Sequence, residues 1–302
     1  MAIRASDRPG NLVDERPDTY PTPTKQENQE FDMTKTIFIT GASTGLGRAT
    51  AQLFADRGWN VIATMRKPEA GADLAQHERI TVVQLDVTVP EQIEAAAKRA
   101  LELGGIDVLF NNAGYGLAGP LEGTTDEQLM RQINTNLVGV IRLTKAFIPY
   151  LREKGNGVVI TTTSVGGHIA LPYNSLYHAT KFALEGWSES ASFELGRYGI
   201  RVKTIAPGGI KTDFLGRSFD MAQHPAYAED MQKVLAVLTS SEHVSQYATP
   251  EAIAEIVYEA ATDDKDRVTY IAGQDAIQWF GQRREVGADA FRKDIRQMIF
   301  GD

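Results

Sequence analysis

The 302-residue chain contains no cysteine, which excludes disulfides, thiolate metal sites and a cysteine nucleophile. That suits a reducing compartment, and a cytoplasmic location is the expectation. Its five histidines are scattered without paired ligand spacing, so no metal is expected. No apolar run approaches the roughly 18 residues of a membrane span, and no N-terminal apolar core resembles a secretory signal. Basic residues are outnumbered, 31 against 39 acidic ones, for a net charge of −8 and a pI near 5.3. A nucleic-acid or anionic-membrane surface wants a basic stripe, so neither partner is expected.

What the chain does have is apolar content, 42% against 23% charged residues, enough for one large domain with appendages. Residues 1–33 stand apart, with Pro9, Pro17, Pro21 and Pro23, many charges and almost no spaced apolar residues. Such a segment cannot bury enough surface to offset its ordering entropy and reads as a flexible extension. Its excess of acids argues against an organelle transit peptide. From residue 34 to 302 one domain is expected.

Short β-rich runs then alternate with helix-length segments, the pattern of a parallel sheet covered on both faces. Strands are expected at 36–40, 60–64, 80–87, 107–112, 157–163, 200–206 and 267–273, with helices including 46–57, 90–103, 126–153 and 175–197. The fold class is α/β, a doubly wound Rossmann-type sheet of seven strands. Residues 213–249 break the rhythm with weak helices and no further strand. They are expected to form a substrate lid or ordinary packing helices. The tail, 274–302, reads as one or two charged amphipathic helices that cap the core or join subunits.

The run "TIFITGASTGLGRAT" leads a hydrophobic strand into a glycine turn and a helix, with Gly41, Gly45 and Gly47 at G-x3-G-x-G spacing. Glycines allow a pyrophosphate to approach the backbone, and the helix start offers free N–H donors and a positive dipole end. Ser43, Thr44 and Leu46 would flank that ligand. At the end of the second strand an NAD site commonly carries a carboxylate on the ribose; here Met65 holds that place and Arg66 follows. A guanidinium suits a 2′-phosphate, so NADP(H) is favoured over NAD(H), although Arg66 also reads as a solvated loop residue.

In "YHATK", Tyr177 and Lys181 stand four apart on an expected helix and share one face. A nearby ammonium lowers a phenol's pKa, and a shift of two to three units takes about 3–4 kcal/mol. Taken alone, the pair is also compatible with a surface Tyr beside a Lys.

With the glycine loop, "NNAG" (111–114), "SLYHATK" (175–181) and "PGGIKT" (207–212) in that order, the chain resembles the short-chain dehydrogenase/reductase family over residues 36–273. It is similar to the compact single-domain branch, whose glycine pattern is TGxxxGxG. The resemblance implies strand order 3-2-1-4-5-6-7 and a nicotinamide cofactor. It also implies that Ser164, preferred to Ser175, holds the substrate carbonyl, and that Tyr177 donates the proton. Lys181 would bind the nicotinamide ribose and lower the Tyr177 pKa. Asn136, preferred to Asn134, would be the fourth catalytic member. Cofactor contacts are implied for Asp86, for Asn112, Ala113 and Gly114, and for Pro207, Gly208, Ile210 and Thr212. Asn112 fits equally a structural tie between strands.

An enoyl reductase of this family carries Tyr and Lys seven apart, yet Asn174 holds that position; the longer epimerase-like members use another glycine spacing. His168 and Tyr173 stand where they could line a substrate pocket. The implied activity is NADPH-dependent reduction of a ketone or aldehyde, with a hydrophobic or hydroxysteroid-like small molecule as partner. A homodimer or homotetramer built on the long helices is implied too. The rival reading is a dinucleotide-binding sensor or scaffold without chemistry.

Overall fold

The computed structural model describes residues 34–212 and 219–301. The expected flexible extension, 1–33, and the first six residues of the expected lid lie outside the described residues.

Seven parallel strands form the main sheet: β1 (Thr36–Thr40), β2 (Asn60–Met65), β3 (Ile80–Gln84), β4 (Val108–Asn111), β6 (Gly157–Thr162), β7 (Ile200–Pro207) and β9 (Thr269–Ala272). Their order is β3-β2-β1-β4-β6-β7-β9, the doubly wound arrangement expected from the sequence. The chain leaves β1 toward β2 on one side and later returns to β4 on the other, so the switch point lies between β1 and β4.

Every residue of β1 is buried, as a strand covered on both faces requires. Its side chains alternate between two cores. Ile37 and Ile39 join Phe54 and Val257 from α1 (Gly45–Asp56) and the later helix 250–262. Phe38 joins Leu143, Phe147 and Leu195 on the opposite face, with Phe38 and Phe147 edge to face at 5.1 Å. That second layer comprises α2 (Pro90–Glu102), α4 (Gly139–Lys154) and α5 (Ser175–Gly196).

Two expectations are corrected. The segment 126–153 is not one regular helix: α3 (Asp126–Ile133) and α4 are joined by a π-helical turn, Asn134–Val138. Gly139 packs so closely on Val87 that a Cβ there would meet the Val87 carbonyl oxygen at 2.7 Å. The region 213–249 also contains a strand, β8 (Phe219–Met221), paired in parallel with β5 (Gly116–Ala118). Three-residue strands leave no periodicity to read; this pair exists through its tertiary partner.

Beyond β8 come α6 (Ala228–Leu238), α7 (Ser241–Ser245) and α8 (Pro250–Thr262), and after β9 two helices, α9 (Gln274–Val286) and α10 (Ala288–Phe300). Val234 of α6, Phe291, Ile295 and Ile299 of α10, and Ile169 from the loop after β6 form a third, smaller cluster. Helix α10 thus packs on α6 and that loop. Among the described residues no helix is long and apolar enough to cross a membrane.

Candidate active site

The glycine loop lies at the C-terminal end of β1, beside the switch point. Gly41 and Gly45 adopt φ of +68° and +54°, the left-handed region that a Cβ disfavours. A Cβ at Gly47 would collide with the Gly41 carbonyl. α1 begins at Gly45 with no side-chain cap from Thr44 and no acid in its first turn. Its leading N–H groups and dipole are therefore available to an anion. Ser43 is partly exposed and Thr44 exposed, whereas Leu46 is buried in the first core. A Cβ at Gly45 would lie 3.4 Å from the Thr212 methyl, so the loop after β7 overhangs this turn. These residues fit a dinucleotide's pyrophosphate.

Asn112 has the structural role that the sequence left open. Its Nδ2 donates to the Thr40 carbonyl at 3.0 Å, and the backbone N–H groups of Asn112 and Ala113 both donate to Thr40 Oγ1 at 2.9 Å. Thr162 donates to Asn112 Oδ1 at 3.3 Å. One amide thereby ties β1, β4 and β6 at their ends. At the end of β2, Met65 is buried and Arg66 is exposed. Asp86 accepts from the Thr88 N–H (2.9 Å) and hydroxyl (2.7 Å) on one oxygen.

Ser164, Tyr177 and Lys181 come together between the end of β6 and the first turns of α5. Ser164 accepts from the Gly166 N–H at 3.0 Å and donates to the Pro207 carbonyl at 3.5 Å. Lys181 is buried; its Nζ donates to the Thr162 carbonyl at 2.9 Å and lies 5.7 Å from the Tyr177 ring centroid. Burial raises the Tyr177 pKa above its ordinary value, and a hydrogen bond with Ser164 pulls partly the other way. Burial also lowers Lys181 to about 8, opposed by Glu185. The expected lowering of Tyr177 by Lys181 is therefore corrected for the protein on its own. Desolvation penalises phenolate and ammonium alike, and it is the largest influence on each.

Asn136 is buried in the π turn and pairs at two points with the Tyr115 backbone: Nδ2 donates to its carbonyl (2.8 Å) and Oδ1 accepts from its N–H (3.0 Å). A Cβ at Gly114 would lie 3.2 Å from Asn136 Oδ1 and 3.9 Å from Lys181 Nζ. Asn136 thus fixes the strand-end backbone next to Lys181, while Asn134 is partly exposed. The π insertion is the kind of irregularity often found at functional sites.

Sequence reasoning missed three supports. His178 Nε2 accepts from the Leu171 N–H (2.9 Å), which leaves Nδ1–H to donate to the Gly166 carbonyl (2.7 Å). Burial lowers its pKa, so a neutral ring clamps the Ser164 loop to α5. Asp275, at the start of α9, accepts from the Gly209 N–H at 2.7 Å. The signal for it was an acid just past Gly273, where β9 ends beside β7 in the register Pro207↔Ala272. Glu185, one turn beyond Lys181, faces His168 at 3.2 Å, and His168 packs on Phe280 with ring centroids 5.1 Å apart. His168 thus stands against Glu185 and Phe280.

Tyr173, with φ of +58°, accepts from the Gly119 N–H at 2.7 Å and donates to Asp230 of α6 at 3.1 Å. Burial and Asp230 push its phenol up to about 12. Arg131 pairs with Asp220 of β8, and Tyr227 donates to Glu122 at 2.9 Å. Residues 219–230 of the expected lid are thus fastened across β5 and α3. A cavity of about 660 Å³ on the outer side of α1 is lined by Asp56, Asp73, Glu251 and Glu255. Four carboxylates make it a poor host for phosphates.

The short chain dehydrogenase model matches residues 35–223. Human 17-beta-hydroxysteroid dehydrogenase type 1 is 32% identical over 283 residues, covering 88% of this chain and 86% of that protein. The crystal structure of a short-chain dehydrogenase from Streptomyces avermitilis superposes with a TM-score of 0.77 at 34% identity, covering 88% of this chain and 96% of that one. ElxO with NADP bound gives 0.66 at 28% identity, covering 79% and 98%. The parallel sheet, the glycine turn at its switch point and these likenesses agree: the chain belongs to the short-chain dehydrogenase/reductase family.

Proposed function

We propose that the protein is an NADPH-dependent reductase of a hydrophobic ketone or aldehyde, working reversibly as an alcohol dehydrogenase. The observation that carries this reading is the meeting of Ser164, Tyr177 and Lys181 at the C-terminal edge of the sheet, beside the glycine turn. A bound nicotinamide dinucleotide supplies the hydride. Gly41, Ser43, Thr44, Gly45, Leu46 and Gly47 seat its pyrophosphate, and Asp86, Ala113 and Gly114 border the adenosine. Pro207, Gly208, Ile210 and Thr212 border the nicotinamide. Arg66 pairs with a 2′-phosphate, in keeping with the NADP held by ElxO.

Ser164 donates to the substrate carbonyl, and Tyr177, a phenol that burial keeps in its neutral form, delivers the proton to the carbonyl oxygen as negative charge develops there. Lys181 stabilises that charge and binds the ribose hydroxyls. Asn136 holds the backbone around them.

A hydroxysteroid-like substrate is favoured by the likeness to the human dehydrogenase. Residues 34–302 act as the catalytic domain, with 213–249 as lid and 274–302 as tail. The protein is cytoplasmic and forms a homodimer or homotetramer. Phe182 and Phe193, 44% and 76% exposed on α5, stand about three turns apart on one face and suit such an interface. The test is the fall of NADPH absorbance with purified protein and a panel of hydrophobic ketones and aldehydes, with NADH in parallel. Turnover preferring NADPH supports the reading; cofactor binding without turnover of any carbonyl favours a sensor.

A further inference from the structure

Asp275 lies beyond residues 35–223, the extent of the family match, yet it reaches back to the glycine pair after β7. Its Oδ2 accepts from the Gly209 N–H at 2.7 Å, and a Cβ at Gly208 would collide with the same carboxylate. Tyr247 closes the other side, because a Cβ at Gly209 would collide with its ring. Around this contact the loop is tied by backbone bonds: Gly208 N–H to the Ala272 carbonyl (3.1 Å), Ala248 N–H to the Gly209 carbonyl (3.0 Å) and Lys211 N–H to the Ala248 carbonyl (2.8 Å). The loop then carries Thr212 over the glycine turn, where a Cβ at Gly45 would lie 3.4 Å from its methyl.

Two further observations concern the carboxylate itself. It stands in the first turn of the 13-residue α9, where the helix dipole favours negative charge. Its second oxygen, Oδ1, is buried without a hydrogen-bond partner among the described residues. A buried acceptor left unpaired costs free energy, and a residue that only bridged two loops could do so without one.

We propose that Asp275 is a positioning residue for the nicotinamide end of the cofactor site. It holds the Pro207–Thr212 loop at one height above the sheet, so that Ile210 and Thr212 meet the cofactor without a rearrangement. This inference rests on the dinucleotide site described under the proposed function. A loop ordered before binding spares the cofactor the cost of ordering it. Losing Asp275 should therefore weaken only ligands that reach the loop.

The experiment is a calorimetric titration of the full-length chain with NADPH and with adenosine 2′,5′-bisphosphate, which carries the adenine and 2′-phosphate but no nicotinamide. NADH and ADP are run in parallel. Asp275→Ala should weaken dinucleotide binding by about tenfold or more and the fragments by less than about twofold. Asp275→Asn keeps an acceptor for the Gly209 N–H and should fall between. Equal losses for dinucleotide and fragment, or no loss for either, overturn the inference. If Asp275→Ala does not fold, Asp275→Asn is judged alone, with a selective loss supporting the proposal and none overturning it. A wild-type chain that binds neither dinucleotide overturns the proposed function and this inference with it. Tight wild-type binding beside an unchanged variant overturns the inference alone.

Discussion

The ammonium of Lys181 lies 5.7 Å from the centroid of the Tyr177 ring and is bonded to the Thr162 carbonyl. Both groups are pushed toward their neutral forms by burial. The pair is thus poised to respond when a further charge enters the site.

Removing the phenol hydroxyl should separate chemistry from binding. Tyr177→Phe is expected to lower kcat for ketone reduction by about 10²–10⁴-fold, the usual contribution of a positioned acid. Dinucleotide affinity should change by less than about threefold. Stopped-flow kinetics and calorimetry on the same preparation check this, and undiminished turnover would remove Tyr177 as the proton donor.

Lys181 gives stability a direction with pH. Burial holds its folded pKa at about 8, below the ordinary lysine value of 10.5. Between these values the unfolded chain holds a proton that the folded chain has lost, so stability rises with pH there. Below about pH 8 the penalty is fully present. Ligand-free wild type should gain stability relative to Lys181→Met between pH 8 and pH 10. Paired denaturant titrations measure it; a constant gap would mean that Lys181 is not depressed.

Arg66 sets the cofactor preference in the proposed reading. Arg66→Ala should weaken NADPH by about ten- to a hundredfold, the loss of a charge-assisted bidentate contact, and NADH by less than about threefold. Equal losses would place the 2′-phosphate elsewhere.

Asn112 should matter for stability. Asn112→Ala removes the amide that bridges Thr40 and Thr162 and strands partners beneath the glycine turn. A loss of about 1–3 kcal/mol is expected, read from urea unfolding. Unchanged stability with lost cofactor binding would reverse the assignment.

The exposed face of α5 should hold copies together. Phe193→Glu places a charge at a position that is 76% exposed, so the isolated fold should tolerate it. Light scattering should show a smaller assembly than wild type. An unchanged mass would move the interface away from this face.

The sheet was legible because most of its strands are runs of buried β-formers next to a helix with its own signals. β1 and the glycine turn could be read residue by residue. Tyr177 and Lys181 were legible through helical spacing, and Ser164 through the family resemblance. The β5–β8 pair was not legible, since three residues carry no period and their partner lies about a hundred positions away. Nor was the π turn, whose cause is the packing of Gly139 and Asn136 rather than any local propensity. The direction of the Tyr177 pKa was misjudged because spacing reports which charges are neighbours and says nothing of how much water is removed.

The cluster of Ile169, Val234, Phe291, Ile295 and Ile299 is separate from the two cores that flank the sheet. Because Val165, next to Ser164, packs against this cluster, a change that loosened the tail helix would reach the serine's own backbone even though, among the described residues, no tail residue touches its hydroxyl.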